Sequence, residues 1–167
     1  MPDTAAGWIR ALELEPHPEG GYFRELYRGA GEIPPSALPD RYGGARSTAT
    51  SIFFLLDGDQ ASHWHRLKSD ELWFYHAGGS LTVHMIDNDG AYSSQTLGPD
   101  PDEDQALQVI IPNGVWFGAT VDDPASYCLM GCVVAPGFDY VDFELAKPGD
   151  LSAVDATYRE IVERLTL

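Results

Sequence analysis

The sequence predicts an all-β domain, a sandwich or barrel, with one short helix at each end. Two observations carry this. Between residues 20 and 143, short β-branched and aromatic runs alternate with turn-forming clusters such as Gly78-Gly79, Asn88-Asp89-Gly90 and Asp122-Asp123-Pro124. Helical periodicity appears only outside that stretch, so no helices interleave with the strands.

Taken in order, Thr4 can cap a first helix whose apolar face is Trp8, Ile9, Ala11 and Leu12, and Pro16 and Pro18 stop it. His17-Pro18-Glu19-Gly20-Gly21 then reads as a tight turn, with glycines for backbone freedom, feeding an aromatic strand over 22–28. Residues 29–45 contain Pro34, Pro35 and Pro39 and read as a long connection, a lid or an arm onto a partner subunit. A strand over 48–56 ends at Asp57-Gly58-Asp59, and further strands are expected at 62–67, 71–76, 81–87, 92–97, 107–111, 115–119, 127–134 and 140–143. Pro112-Asn113-Gly114 should form a tight turn between two of them. A final helix over about 152–165 is expected from Ser152 as cap, Asp155 three residues on, and the stripe Val154, Tyr158, Ile161 and Leu165. The whole chain, 1–167, reads as one domain.

Composition limits the partners. Ten Lys plus Arg against 26 Asp plus Glu give a net charge of −16, and no basic run interrupts it, so no nucleic acid and no anionic membrane surface is expected as partner. The sequence from Met1 has no basic start followed by an apolar stretch, which points to a cytoplasmic protein. Cys128 and Cys132, four apart in a strand-like segment, would lie about 13 Å apart at about 3.3 Å per residue, too far for a disulfide, and read as reduced core thiols.

The richest chemical cluster runs from Ser62 to Glu71. On a strand, His63 and His65 would share a face, and Glu71 would return on the next strand. Two imidazoles and a carboxylate form a mixed nitrogen and oxygen set that suits one divalent metal (Fe, Mn, Ni or Zn). The alternative is a polar cluster at a barrel mouth, hydrogen-bonded to Arg66 or Asp70. If Glu71 faces inward, alternation brings Trp73 and Tyr75 with it, either as core or as aromatic walls for a ring-shaped ligand, a sugar or a nucleobase. Arg24, Arg28 and Arg46 are scarce cations that either clamp an anionic ligand or pair with nearby carboxylates. His76 and His84 read as packed or interfacial. Neither a Gly-x-Ser-x-Gly elbow nor a glycine-rich phosphate loop is present.

Gly58, His63-x-His65, Glu71 and Gly78 resemble the first cupin motif, although the gaps on either side of the His-x-His each differ by one residue from the usual pattern. Pro112-x-Gly114 resembles the second motif, with Phe117 where that motif places a fourth metal-binding histidine. Together with His17-Pro18-Glu19-Gly20-Gly21-Tyr22-Phe23-Arg24-Glu25, Ser69-Asp70-Glu71-x-Trp73 and Val134-Ala135-Pro136-Gly137-Phe138, the chain looks like a family of small single-domain cupins with no agreed reaction. The resemblance implies a double-stranded β-helix (jelly-roll) barrel over about 20–143, a homodimer, and similarity in form to dTDP-sugar epimerases.

Three functions follow as expectations. The first is an epimerase- or isomerase-like enzyme acting on a small polar metabolite by proton transfer, with His63 or His65 as base, Tyr75 returning the proton, and Trp73, Phe117, Arg24 and Arg46 binding the ligand. The second is a metalloenzyme with metal on His63, His65 and Glu71. The third is a non-catalytic ligand-binding module.

Overall fold

The computed structural model describes residues 2–167. In chain order the strands are β1 (Glu15–Pro16), β2 (Tyr22–Arg28), β3 (Glu32–Ile33), β4 (Arg46–Ser47), β5 (Thr50–Asp57), β6 (Ala61–Arg66), β7 (Asp70–Gly78), β8 (Leu81–Ile86), β9 (Tyr92–Leu97), β10 (Gln105–Ala106), β11 (Gln108–Ile111), β12 (Trp116–Val121), β13 (Tyr127–Ala135) and β14 (Glu144–Leu145). The helices are α1 (Ala5–Leu12) and α2 (Arg159–Arg164).

The strands form two six-stranded sheets, β1-β2-β5-β13-β7-β11 and β10-β9-β8-β12-β6-β14, with β3 and β4 paired separately. Pairing is antiparallel except between β9 and β10. The facing sides of the two sheets enclose one apolar interior that includes Phe54, Leu56, Trp73, Leu81, Val83, Phe117 and Met130. This is the expected all-β jelly-roll barrel with a short helix at each end. β5 and β13 read as nearly unbroken apolar runs because both their faces are covered. Leu55 and Leu129 point away from the interior and are buried with Ala5 and Leu14 beneath α1. Thr4 caps α1 as expected, its side chain accepting from the Gly7 amide at 3.2 Å.

Tertiary packing moves three elements from their expected places. The C-terminal helix spans only Arg159–Arg164 and follows a 3-10 turn, Ala156–Tyr158, capped by Asp155 rather than Ser152. Stacking of Tyr158 on Tyr92, with ring centroids 4.0 Å apart, and burial of Leu151 hold the preceding residues in turns, overriding their helical period. The strand expected at 140–143 is a 3-10 turn, Tyr140–Asp142, because the Asp139 side chain accepts from the Val141 amide; the strand is β14 instead. Residues 29–45 are no open connection. They contain β3 and a 3-10 turn and fold onto their own barrel, where Tyr42 Oη donates to the Lys68 carbonyl at 2.9 Å and Arg41 Nε donates to the same oxygen at 2.7 Å. The Pro112-Asn113-Gly114 turn forms as expected, with Gly114 at φ +78°. Cys128 and Cys132 are free and buried.

Candidate functional site

The site begins with an irregularity in β6. Across β12, Phe117 pairs with His65 and Ala119 with Ser62, so the single residue Gly118 faces both His63 and Trp64. Such a bulge breaks the two-residue alternation. Ser62 and His65 therefore both face the interior. Trp64 packs outside with Ile86, Trp116 and Leu165, and His63 follows it, its Nδ1 3.3 Å from the Leu165 carbonyl oxygen. The expectation that His63 and His65 share a face is thus overturned.

The place left by His63 is taken by the turn before β2. Gly20 and Gly21 adopt φ of +108° and +70°, and a Cβ on Gly20 would lie 2.1 Å from the Ala61 carbonyl oxygen. Only glycine permits that approach. It brings His17 and Glu19 inside, and the His63 amide donates to the Glu19 carbonyl at 2.8 Å. Glu19 is buried: its Oε1 accepts from Ser62 Oγ at 2.8 Å, and its Oε2 lies 3.0 Å from His65 Nε2. The other nitrogen of His65, Nδ1, lies 2.7 Å from the His63 carbonyl oxygen.

A carbonyl oxygen only accepts, so His65 Nδ1 carries a proton. Nε2 faces a carboxylate and carries another, which makes the pair an imidazolium and a carboxylate. Burial alone would lower the pKa of His65, but the charge and hydrogen bond of Glu19, with help from Glu71 and the His63 carbonyl, raise it above its ordinary value. Burial would likewise raise Glu19, and the His65 charge and hydrogen bond, with His17 and Ser62, hold it below the usual carboxylate range instead. The pKa of His17 is lowered by burial, against the attraction of Glu19; its Nδ1 accepts the Glu19 amide at 3.3 Å, so in the neutral ring the proton is on Nε2.

Glu71 and Trp73 project from β7 into the same cavity of about 130 Å³. Burial, and then repulsion from Glu19, push the Glu71 carboxyl up to about 7, against the opposing pull of His65, Trp73 and Cys132. Trp73 is 1% exposed, and its Nε1–H lies beside this carboxyl without a hydrogen bond of acceptable geometry. The remaining walls are mostly apolar, among them Phe23, Ile52, Phe54, Leu67, Val134 and Phe138, with Thr50, Cys132 and Tyr140 the polar exceptions, and at the mouth Arg28 is held by both oxygens of Glu25 and by the Phe138 carbonyl.

Of the residues singled out from sequence, His65, Glu71 and Trp73 meet in this cavity. Phe117 lies against the His65 ring, centroids 3.9 Å apart, and is 1% exposed. Tyr75 does not line the cavity, and its hydroxyl donates to the Gly78 carbonyl at 2.6 Å. Arg24 pairs with Glu13 at the surface, and buried Arg46 makes two bonds to Asp142, so neither is free to clamp a ligand. His84 bridges Tyr92 Oη and Thr120 Oγ1 as a packed residue, and burial pushes its pKa down to about 4. His17 and Glu19 are the residues that sequence reasoning missed. The signal was present: two titratable side chains beside glycines whose role is close backbone approach.

A family profile described as Cupin superfamily (DUF985) matches residues 6–146. The chain belongs to this cupin family. Two solved structures span nearly the same length: a hypothetical protein from Leishmania major, 35% identical, covering 98% of this chain and 99% of that one with a TM-score of 0.88, and a protein from Shewanella oneidensis, 37% identical, covering 99% of each with a TM-score of 0.87. Oxalate decarboxylase from Bacillus subtilis shares the fold at 18% identity and a TM-score of 0.54, over 78% of this chain and 29% of the larger enzyme. No curated protein matches the chain.

The Bacillus subtilis decarboxylase has Mn(II) centres. A ligand must offer a lone pair. His65 has both nitrogens committed as donors, His63 faces away, and Phe117 has none to offer. Among the described residues no group of three or more His, Cys, Asp or Glu side chains is placed to hold a metal ion. The expected set of His63, His65 and Glu71 therefore does not fit one.

Proposed function

We propose that this cupin binds a small metabolite in the barrel cavity and moves a proton between two of its atoms, as an isomerase or epimerase does. The observation that supports this reading is Glu71, a buried carboxyl facing the cavity whose pKa of about 7 matches the operating pH of a general acid–base group.

In the ionised half of the population, Glu71 takes a proton from a carbon acidified by a neighbouring carbonyl, and negative charge develops on the carbonyl oxygen. The Trp73 Nε1–H is a buried donor free to receive that charge. Glu71 then returns the proton to another atom of the same molecule, so the step balances with no co-reactant. His65 acts through position and field: its charge moderates the repulsion that Glu19 exerts on Glu71 and keeps the Glu71 pKa from rising further. The roles expected for His65 as free base and Tyr75 as acid are replaced by Glu71 in both directions.

Metabolites released from protein purified from cells would be identified by mass spectrometry and returned to the protein in D2O. The expected result is deuterium on one C–H position, with a pH midpoint near 7, lost in Glu71→Gln. A ligand that binds and gains no deuterium overturns catalysis in favour of a binding module. We also propose a homodimer, since β11 ends its sheet and exposes Ile110, with Leu107 just before it. Light scattering at the monomer mass of 18.3 kDa would overturn it.

A further inference from the structure

Most of the polar groups of the cavity are already spoken for. Glu19 and His65 satisfy each other, with Ser62 and the His63 carbonyl completing their bonds, and Arg28 at the mouth is held by Glu25. In the cavity the Trp73 Nε1–H is buried and unpartnered beside the Glu71 carboxyl, and the His17 Nε2–H, the Thr50 hydroxyl and the exposed Tyr140 hydroxyl also line it. The next wall residues inward and upward are hydrocarbon: Ile52, Phe54, Leu67 and Val134.

That inventory excludes several ligand chemistries. A carboxylate or phosphate would meet no uncommitted cation and would lie against Glu71, leaving a buried charge unpaired. A sugar would bring more hydroxyls than the few polar groups of this lining can bond. A plain hydrocarbon would leave the indole N–H and the carboxyl without partners. The complement is a flat or compact apolar body with one polar edge, where a carbonyl oxygen accepts from Trp73 and an adjacent N–H donates to Glu71. We propose that the cavity recognises a small ring carrying an amide or imide, that is, a lactam-type N–H beside a C=O, read jointly by Trp73 and Glu71.

This rests on the reading of the cavity as a metabolite site and adds the substrate class. The ring carbonyl also acidifies its neighbouring C–H, the kind of bond that the proposed proton transfer needs. A cavity of about 130 Å³ has room for one small ring and not for a chain of several.

The test uses δ-valerolactam as probe, with N-methyl-δ-valerolactam, δ-valerolactone and cyclohexanecarboxylate as controls. Binding is read by calorimetry and by the indole N–H signals of 15N-labelled protein, in which the Trp73 signal is the one of four absent from Trp73→Phe. The expected result is that the lactam binds and shifts the Trp73 signal, while N-methylation or replacement of N–H by O weakens binding about tenfold or more, the usual consequence of leaving a buried polar group unpaired. Trp73→Phe, which retains an aromatic ring of similar reach, should lose about tenfold in lactam affinity. Glu71→Gln should keep lactam binding within a few-fold, because the Gln carbonyl still accepts the N–H, while abolishing the deuterium exchange described above. Lactam binding without exchange in the parent would therefore overturn the catalytic reading and leave this proposal standing. Equal affinity for lactam, lactone and N-methyl lactam, preferential binding of the carboxylate, or no lactam binding at all overturns the proposal.

Discussion

The inward residues of β5 and β13 divide the barrel into two unlike halves. Thr50, Ile52 and Phe54, with Cys132 and Val134, border the cavity; one step further along the same strands, Leu56, Cys128 and Met130 close against Leu81, Val83 and Leu97 with exposures of 0% throughout. The residues named for the filled half offer only hydrocarbon and sulfur and alternate along β5 and β13, although β7 shifts register against β13 between Tyr75 and Ala77. The open half holds two carboxyls, two imidazoles and an unpartnered indole N–H, and its geometry departs from alternation at the β6 bulge. Burial of ionisable groups is unfavourable unless each is paired. The contrast shows one half serving stability and the other giving some of it up for a reactive interior.

The largest way to test this contrast is Leu56→Ala in the filled half. It should cost about 2–5 kcal/mol, seen as a lower denaturant midpoint, because the tight surroundings cannot collapse onto the space. A loss below about 1 kcal/mol would show that half to be loosely packed.

The next is Glu71→Gln in the open half. The folded carboxyl titrates near 7 and the unfolded one near 4.5, so its contribution is present below 4.5 and is lost as pH rises through 7. Unfolding at pH 5 and pH 8 should show the parent weakening across that interval by about 2.5 kcal/mol more than the variant does. Parallel pH curves for the two proteins would mean that Glu71 is ionised and compensated.

Glu19→Gln should have a smaller effect on stability, about 1–2 kcal/mol, since His65 can shed its proton rather than remain charged and unpaired. Its signature is spectroscopic: the His65 imidazole, read by NMR titration, should drop in pKa. An unchanged His65 titration would show that Glu19 does not hold it charged. Trp73→Phe removes a donor without a hydrogen-bond partner together with part of a fully buried ring, and should cost about 1 kcal/mol. A larger loss would reveal a bond from Trp73 within the protein itself.

The filled half was legible in the sequence because alternation governs it. Period-two runs gave the strands, and the glycine and proline clusters gave the turns between them. Glu71 and Trp73 were placed correctly by the same rule. His63 was misplaced because a bulge is a property of a pairing: it depends on Gly118, whose missing side chain lets β6 crowd its partner, a Cβ there falling 2.7 Å from the Ser62 carbonyl oxygen. His17 and Glu19 were read as part of a turn because the partners of Glu19, to which His17 is joined, lie more than forty positions away, on β6. The shortened final helix has the same origin, since Tyr92 and the outer cluster draw residues 151–158 out of helical form.

The bulge leaves two backbone amides of β6 without sheet partners, and each is met by a distant piece of chain. His63 donates to Glu19, and Trp64 donates to the carbonyl of Leu165, both at 2.8 Å. The orientation of a cavity histidine is therefore locked by residue 165, far outside the cavity. During synthesis, at about 5–20 residues per second, a barrel can condense while that residue is still unmade. The reactive interior would then be the last part of the protein to mature, and a nascent chain stalled short of residue 165 would be a folded shell with its chemistry not yet assembled.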